Sequence, residues 1–183
     1  PVEVFVAILG CSQLTYVEAS CSQQKEDLID SCERALHFIG GVPDAIVTDN
    51  LKSAVTRSSK YEPEINQDFE NFADHYSMSV LPTRAYRPRD KSLVEGAVKI
   101  IYTRIYAKLR SKVFHTLEAL NTAILEALNE HNNKLLKGRS YSRRMQFEEI
   151  ERKVLNPLPA LKYEHKKQAY ATVMKSSHVC LGV

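Results

Sequence analysis

Tryptophan is absent from this chain, glycine and cysteine are sparse at 6 and 4 residues, and no aspartate occurs before Asp27. Cys11, Cys21, Cys32 and Cys180 form no C-x-x-C pair and lack the dense spacing of a secreted disulfide scaffold, which excludes that class and leaves free thiols of a reducing compartment. Cys32 and His37 have a loosely zinc-like spacing, but no second close pair accompanies them, so a zinc site is excluded. No run approaches the roughly 18 apolar residues that span a bilayer, and the apolar start at residues 2–6 has no basic segment before it. The expectation is a soluble cytoplasmic protein with no membrane partner. An apolar fraction of 44% across 183 residues suffices for one packed core plus an appendage and excludes a disordered chain.

A net charge of +3 is too small to establish a polyanionic partner, but its distribution is uneven. Between Thr83 and Lys112 stand Arg84, Arg87, Arg89, Lys91, Lys99, Arg104, Lys108, Arg110 and Lys112, against only Asp90 and Glu95. Residues 1–50 hold Lys25 and Arg34 as their only lysine or arginine. A phosphate-binding edge on an otherwise neutral domain has this pattern.

Residues 2–9 and 14–19 are β-branched and apolar around an interrupting Gly10, and predict a hairpin. Leu28, Ile29, Cys32, Ala35, Leu36 and Ile39 fall at helical spacing, with Ser22 as a candidate N-cap and Gly40-Gly41 as the stop. Residues 45–48 read as a buried strand ending on Asp49-Asn50, so a mixed sheet with a crossover is expected. Ile65, Phe69, Phe72 and Tyr76 predict a helix, residues 77–81 a strand, and residues 82–89 a basic extended loop with prolines at 82 and 88. The longest helical pattern runs from about Asp90 to Lys112 with Val94, Val98, Ile101, Ile105 and Leu109 on one stripe, and Thr116 opens another helix to about Asn132. Three regions follow: a core over 1–134, a basic, partly helical linker over 135–161, and the beginning of a C-terminal β-domain over 162–183.

Two carboxylates draw attention. Asp49 follows a buried strand directly, where a side chain can project into a crevice at the strand's carboxyl end; locally it reads equally as a turn residue. Glu95 lies about 100° around its helix from Val94, at the border of the buried stripe, and an ordinary i,i+4 pair with Lys99 would account for it on its own. Tyr102 and Tyr106 lack the Arg and His set that a tyrosine nucleophile needs and are expected to pack beside the core, while His75 and His131 read as structural.

Taken together the motifs are more specific. The segment from Gly41 to Asn50 resembles the second-carboxylate strand of integrase-like enzymes with an RNase H-like fold, and the segment from Pro82 to Glu95 resembles their basic loop and glutamate helix. Asp49-Asn50-Leu51-Lys52-Ser53-Ala54-Val55, with Arg87-Pro88-Arg89-Asp90-Lys91 before Val94-Glu95, resembles the IstA transposases of bacterial insertion sequences. Leu51 stands where retroviral-type integrases usually have Gly, which favours the IstA group. That resemblance implies an RNase H-like mixed sheet flanked by helices and followed by a small β-barrel. It also implies a first catalytic Asp on a strand preceding Val2, and hence upstream of this chain.

The implied chemistry is DNA transposition by two-metal-ion phosphoryl transfer, with Mg²⁺ or Mn²⁺, two ions per complete site, held by Asp49, Glu95 and the upstream Asp. It casts Lys91 and Lys99 as contacts to the phosphates flanking the scissile bond, and Arg84, Arg87 and Arg89 as grips on DNA backbone. Implied partners are the element ends, target DNA, further copies of the chain in a dimer or larger assembly on DNA, and an IstB-type AAA+ ATPase in the bacterial cytoplasm. Two other readings remain open at this point: a non-catalytic DNA-binding module derived from a transposase, and another RNase H-like nuclease.

Overall fold

The computed structural model describes residues 2–48, 55–57, 64–82 and 96–165. Its first element is the expected hairpin. Strand β1 (Glu3–Ile8) pairs antiparallel with β2 (Thr15–Ser20), from Glu3↔Ser20 to Ile8↔Thr15. Alternation splits this pair between two layers, because successive side chains point to opposite faces. Phe5 packs toward helix α1 (Lys25–Ile39) and the core that α1 shares with α2 (Gln67–His75). Val6, Val17 and Ala19 face the opposite way, into a second core.

Helix α1 forms where the sequence places it. Ile29, Cys32, Ala35 and Leu36 are buried, and the helix ends at Gly40, whose φ of 78° is left-handed and whose N–H donates to Leu36 O at 2.8 Å. Its start differs from expectation: the N-cap position falls to Gln24, and Ser22 instead accepts from the Gln24 N–H through Oγ at 3.1 Å. The buried Glu18 ties β2 to this helix. Arg34 donates through Nε and Nη2 to its two oxygens, each at 2.8 Å, and Tyr16 OH donates at 2.6 Å. Burial pushes the Glu18 carboxyl up, but hydrogen bonds from Arg34, Ser31 and Tyr16 outweigh it and hold the group below its ordinary value.

Strand β3 (Ala45–Thr48) pairs parallel with β6 (Ser79–Pro82), in register from Ala45↔Ser79 to Thr48↔Pro82. A parallel pair needs a long crossover, and α2 lies within it, capped by Asn66, whose side chain accepts from the Asp68 N–H at 3.0 Å. The crossover also holds a short antiparallel pair, β4 (Val55–Arg57) and β5 (Glu64–Ile65). Among the described residues the single mixed sheet expected from the sequence is thus divided into β1–β2, β3–β6 and β4–β5. Yet Phe5 of β1, Ile46 of β3 and Val80 of β6 all pack against one cluster containing Ile29, Leu36, Phe69 and Phe72, so the two larger pairs cover the same helices as one layer.

The second core is built by α3 (residues 96–109) and α4 (Leu117–Asn133), with Ile101, Ile105, Leu109, Ile124 and Leu128 buried against Val17 and Ala19. Here the sequence reading needs correction: Val98 is 48% exposed, and Ala97 occupies the buried stripe. The stripe 97–101–105–109 advances by four residues each time, which drifts about 40° per step around an ideal α-helix. A π turn at Tyr102–Tyr106 inserts an extra residue and rewinds that drift. Thr116 caps α4 as expected, accepting from the Ala119 N–H at 3.1 Å.

Helix α4 also closes the outer edge of β2. Asn132 accepts from the Thr15 N–H at 3.2 Å and donates to Thr15 O at 2.8 Å, while Asn121 does the same for Ala19 at 2.7 and 2.9 Å. Eleven residues make about three helical turns and roughly 16 Å, close to the ~13 Å that separates strand residues four apart. Two amides on one helix face therefore replace a neighbouring strand.

The segment expected as a linker contains α5 (Arg143–Glu149) and then lies back on the core. Val42 and Asn156 exchange backbone hydrogen bonds at 2.8 and 2.9 Å, and a Cβ on Gly41 would stand 2.8 Å from Leu155 Cβ. Tyr163 is buried, with its N–H donating to Glu33 at 3.0 Å. The expected C-terminal β-domain falls largely on residues 166–183, outside the described residues.

Asn132 is fully buried, so Asn132→Ala strands a backbone N–H and C=O and should destabilise the chain by about 3 kcal/mol. Asn121→Ala, at a half-buried position, should cost about half that, and Asn133→Ala, on the exposed side, close to nothing. Urea unfolding of the three variants measures the order; equal losses at 132 and 133 would remove the edge-covering role.

Candidate functional site

The parallel register of β3 and β6 decides where the candidate residues are delivered. Thr48 and Pro82 stand opposite one another at the carboxyl ends of their strands, so the chain enters both 49–54 and 83–95 from one end of the sheet. In α/β folds this end is where ligands bind. Asp49, Arg84, Arg87, Arg89, Lys91 and Glu95 lie outside the described residues. What is described is their frame: β3 up to Thr48, β6 up to Pro82, and α3 from Gly96 onward. Thr48 is half-buried, with its Oγ1 buried and without a hydrogen-bond partner among the described residues.

Lys99 is exposed on the first turns of α3, three residues past Gly96. Tyr102 is 69% exposed, contrary to the packing role expected of it, because the rewound stripe turns it outward; it stacks on Tyr106 at 6.2 Å. Tyr106 is half-buried and its phenol is pushed up to about 12 by burial, the opposite of what an activated nucleophile requires. His75 has the structural role expected: its Nε2 meets Leu161 O at 3.0 Å and its ring stands edge-on to Tyr76 and Tyr163. A cavity of about 420 Å³ beside His75 and Asp74 lies where α2 turns into the amino end of β6, at the far end from Thr48. Among the described residues no cluster of three His, Cys, Asp or Glu side chains could hold a metal. No described helix is long and apolar enough to cross a membrane.

Sequence reasoning passed over Arg143 and the Asn121–Asn132 pair. Arg143 sits in a basic stretch that reads as solvated, yet it is 5% exposed. Asparagines three turns apart on one helix face could have been noticed, although nothing in the sequence says what they meet.

Comparison with known proteins agrees with this frame. Residues 1–88 match the integrase core domain family. A candidate transposase of Sinorhizobium fredii is 49% identical over 98% of this chain and 35% of its own length. A candidate transposase for insertion sequence IS408 of Burkholderia multivorans is 38% identical over the same shares. The transposase of insertion sequence IS21 from Pseudomonas aeruginosa is 28% identical over 84% of this chain and 39% of its own length. The chain thus spans about a third of the length of its curated relatives. Among solved structures, the catalytic core domain of BIV integrase aligns with a TM-score of 0.64 at 15% identity, covering 84% of this chain and 90% of that one. A chain of the simian T-cell lymphotropic virus intasome aligns at 0.67 and 18%, covering 91% and 54%. The architecture is RNase H-like.

An unpartnered buried hydroxyl weakens a fold that a same-shaped methyl would not. Thr48→Val should therefore leave stability unchanged or raise it by up to about 1 kcal/mol in thermal or urea unfolding; a loss exceeding 1 kcal/mol would reveal a hydrogen bond essential to the strand end.

Proposed function

We propose that the chain, whose residues 1–88 match the integrase core domain family, is the catalytic part of an insertion-sequence transposase that cuts element ends and joins them to target DNA. The observation that carries this reading is the parallel β3–β6 pair, which starts the Asp49 segment and the basic loop toward Glu95 from the same end of the sheet.

In this proposal Asp49 and Glu95 are metal ligands, completed by an aspartate on a strand supplied from outside these residues. Such a strand has a place to go. Strands β1 and β3 lie over the same helices, and among the described residues each has a ladder on one edge only; one strand between them would give the order β2–β1–new–β3–β6. Half-exposed apolar side chains at Val4 and Val47 support an incomplete layer. Carboxylates of this kind suit Mg²⁺ or Mn²⁺, and a pair of such ions supplies activation of the attacking oxygen and neutralisation of the leaving one. The protein's own side chains position the DNA. Lys91 and Lys99 hold the phosphates beside the scissile bond, and Arg84, Arg87 and Arg89 grip the backbone. Water attacks phosphorus first and breaks its bond to the 3′ oxygen, freeing a 3′-hydroxyl, which then attacks phosphorus in the target strand and displaces that strand's own 3′ oxygen as the leaving group.

In this proposal the core spans 1–134, residues 135–161 are its basic, partly helical linker, and residues 162–183 begin a C-terminal β-domain. Assembly of two or more copies on DNA, and an IstB-type AAA+ ATPase partner in the bacterial cytoplasm, complete the proposal. The intasome neighbour supports assembly, and the ATPase partner rests on the motif resemblance alone.

In the full-length protein, Glu95→Gln and Asp49→Asn should each cut Mg²⁺-dependent strand transfer by more than about 100-fold, because even indirect support of a metal ligand is worth 10–100-fold. Lys99→Ala removes one charge-assisted contact and should cost about 10-fold. The assay is joining of a labelled element end to target DNA, with end binding and circular dichroism as controls. Full joining by Glu95→Gln would falsify the two-metal assignment.

A further inference from the structure

A small cavity of about 180 Å³ lies between the β1–β2 turn (Gln13, Thr15), the start of α3 (Gly96, Ala97), and His131 and Arg143. Arg143 is 95% buried, and its Nε and Nη1 are buried without a hydrogen-bond partner among the described residues. His131 is 4% exposed, and its Nδ1 is likewise unpartnered. Among the described residues no carboxylate lines this cavity. The surrounding charge makes matters worse for the guanidinium: burial and then Arg104 pull its ionisation down. Burial, followed by Arg143, Arg104 and Lys134, lowers His131 to about 4, so the imidazole is neutral.

A guanidinium stays charged in proteins, and a buried charge without a partner is among the most costly features a fold can carry. With donors that have no partner among the described residues aimed into a cavity, and only cations among the described charges acting on them, the missing partner is an anion. A phosphate is favoured over a lone carboxylate because exposed cations act on the same place, Arg104 on α3 and Lys134 just past α4, as a charged backbone with several phosphates would require. The cavity also adjoins Gly96 and Ala97, which directly follow Glu95.

We propose that this cavity is a phosphate-binding subsite, in which Arg143 takes one backbone phosphate of the DNA strand that enters the site, with His131 Nδ1 as its neighbour. This rests on the DNA-processing reading above and deepens it by naming a DNA contact that the basic loop does not supply. Arg143 here is a binding residue and touches no reacting atom.

The test is an NMR titration of the 183-residue chain that follows the His131 ring nitrogens as inorganic phosphate or a short DNA duplex is added. Duplex binding should move the His131 Nδ1 resonance and raise its pKa above about 4, because an anion beside the ring favours the charged form. Arg143→Gln should abolish that movement and reduce the salt slope of DNA binding by about one. The triple variant Arg84→Ala, Arg87→Ala, Arg89→Ala should weaken binding yet keep the His131 response at saturation. DNA that binds with a steep salt slope while His131 does not move overturns the subsite and leaves the DNA reading standing. No salt-sensitive DNA binding at all overturns both. A response to inorganic phosphate that the duplex neither reproduces nor competes with also overturns the proposal, as a site for small anions only. If Arg143→Gln fails to fold, the titration of the unaltered chain still decides.

Discussion

The hydrogen-bonded seam between α4 and β2 governs what the rest of the molecule can do. A sheet edge left bare is a row of unpaired backbone groups, and the edge of β2 is closed by two asparagine side chains that bond Thr15 and Ala19 through both N–H and C=O. With that side shut, the hairpin can extend only from β1, on the side of the layer shared with β3. The same seam holds α4 flat on the hairpin, so that Ile124 and Leu128 meet Val17 and Ala19, and α3 fits beside them through Ile101, Ile105 and Leu109. The start of α3, and with it the place where Glu95 joins the fold, is therefore fixed by packing some distance from the chemistry.

The other face of the hairpin is held by charge as well as by apolar contact. Glu18 is buried beneath Arg34 and Tyr16, so α1 cannot slide along β2 without leaving a carboxylate unpaired. Behind α1 and α2 the chain returns from α5, with Asn156 bonded to Val42 and Tyr163 filling the space beside Phe72. That return strap anchors the approach to β3 just before it runs out toward Asp49, so both ends of the candidate site are stiffened from behind.

Much of this was legible in the sequence, and the failures have physical causes. The hairpin, α1 with its Gly40 stop, β3, α2 and the Thr116 cap followed from alternation, helical spacing and capping chemistry, which are local. Val98 was misassigned because a regular 100° step was assumed across a helix that contains a π turn, and Tyr102 was turned outward for the same reason. The cap position falls to Gln24, not Ser22, because the Ser22 Oγ takes the Gln24 N–H, ahead of the first helical residue Lys25. Asn121, Asn132 and Arg143 depend on partners 100 or more residues away or on cavities, and no local pattern announces those. The candidate carboxylates were a different case: an Asp after a strand and a Glu on a helix are commonplace separately, and only the combined motif pointed to an integrase core, which the family match over residues 1–88 bears out.

Convergence of Asp49 and Glu95 on one metal centre is the central claim, and it can be read without any catalysis. Full-length protein loaded with Fe²⁺ in place of Mg²⁺ and exposed to ascorbate and peroxide generates hydroxyl radicals at the metal, which cut the backbone nearby. Mapped by mass spectrometry, the cuts should cluster at two places far apart in sequence, around residue 49 and around residue 95, and both should vanish together in Asp49→Asn and in Glu95→Gln. Cuts at one of the two places alone, or at both with only the local cut lost in each variant, would contradict a shared centre.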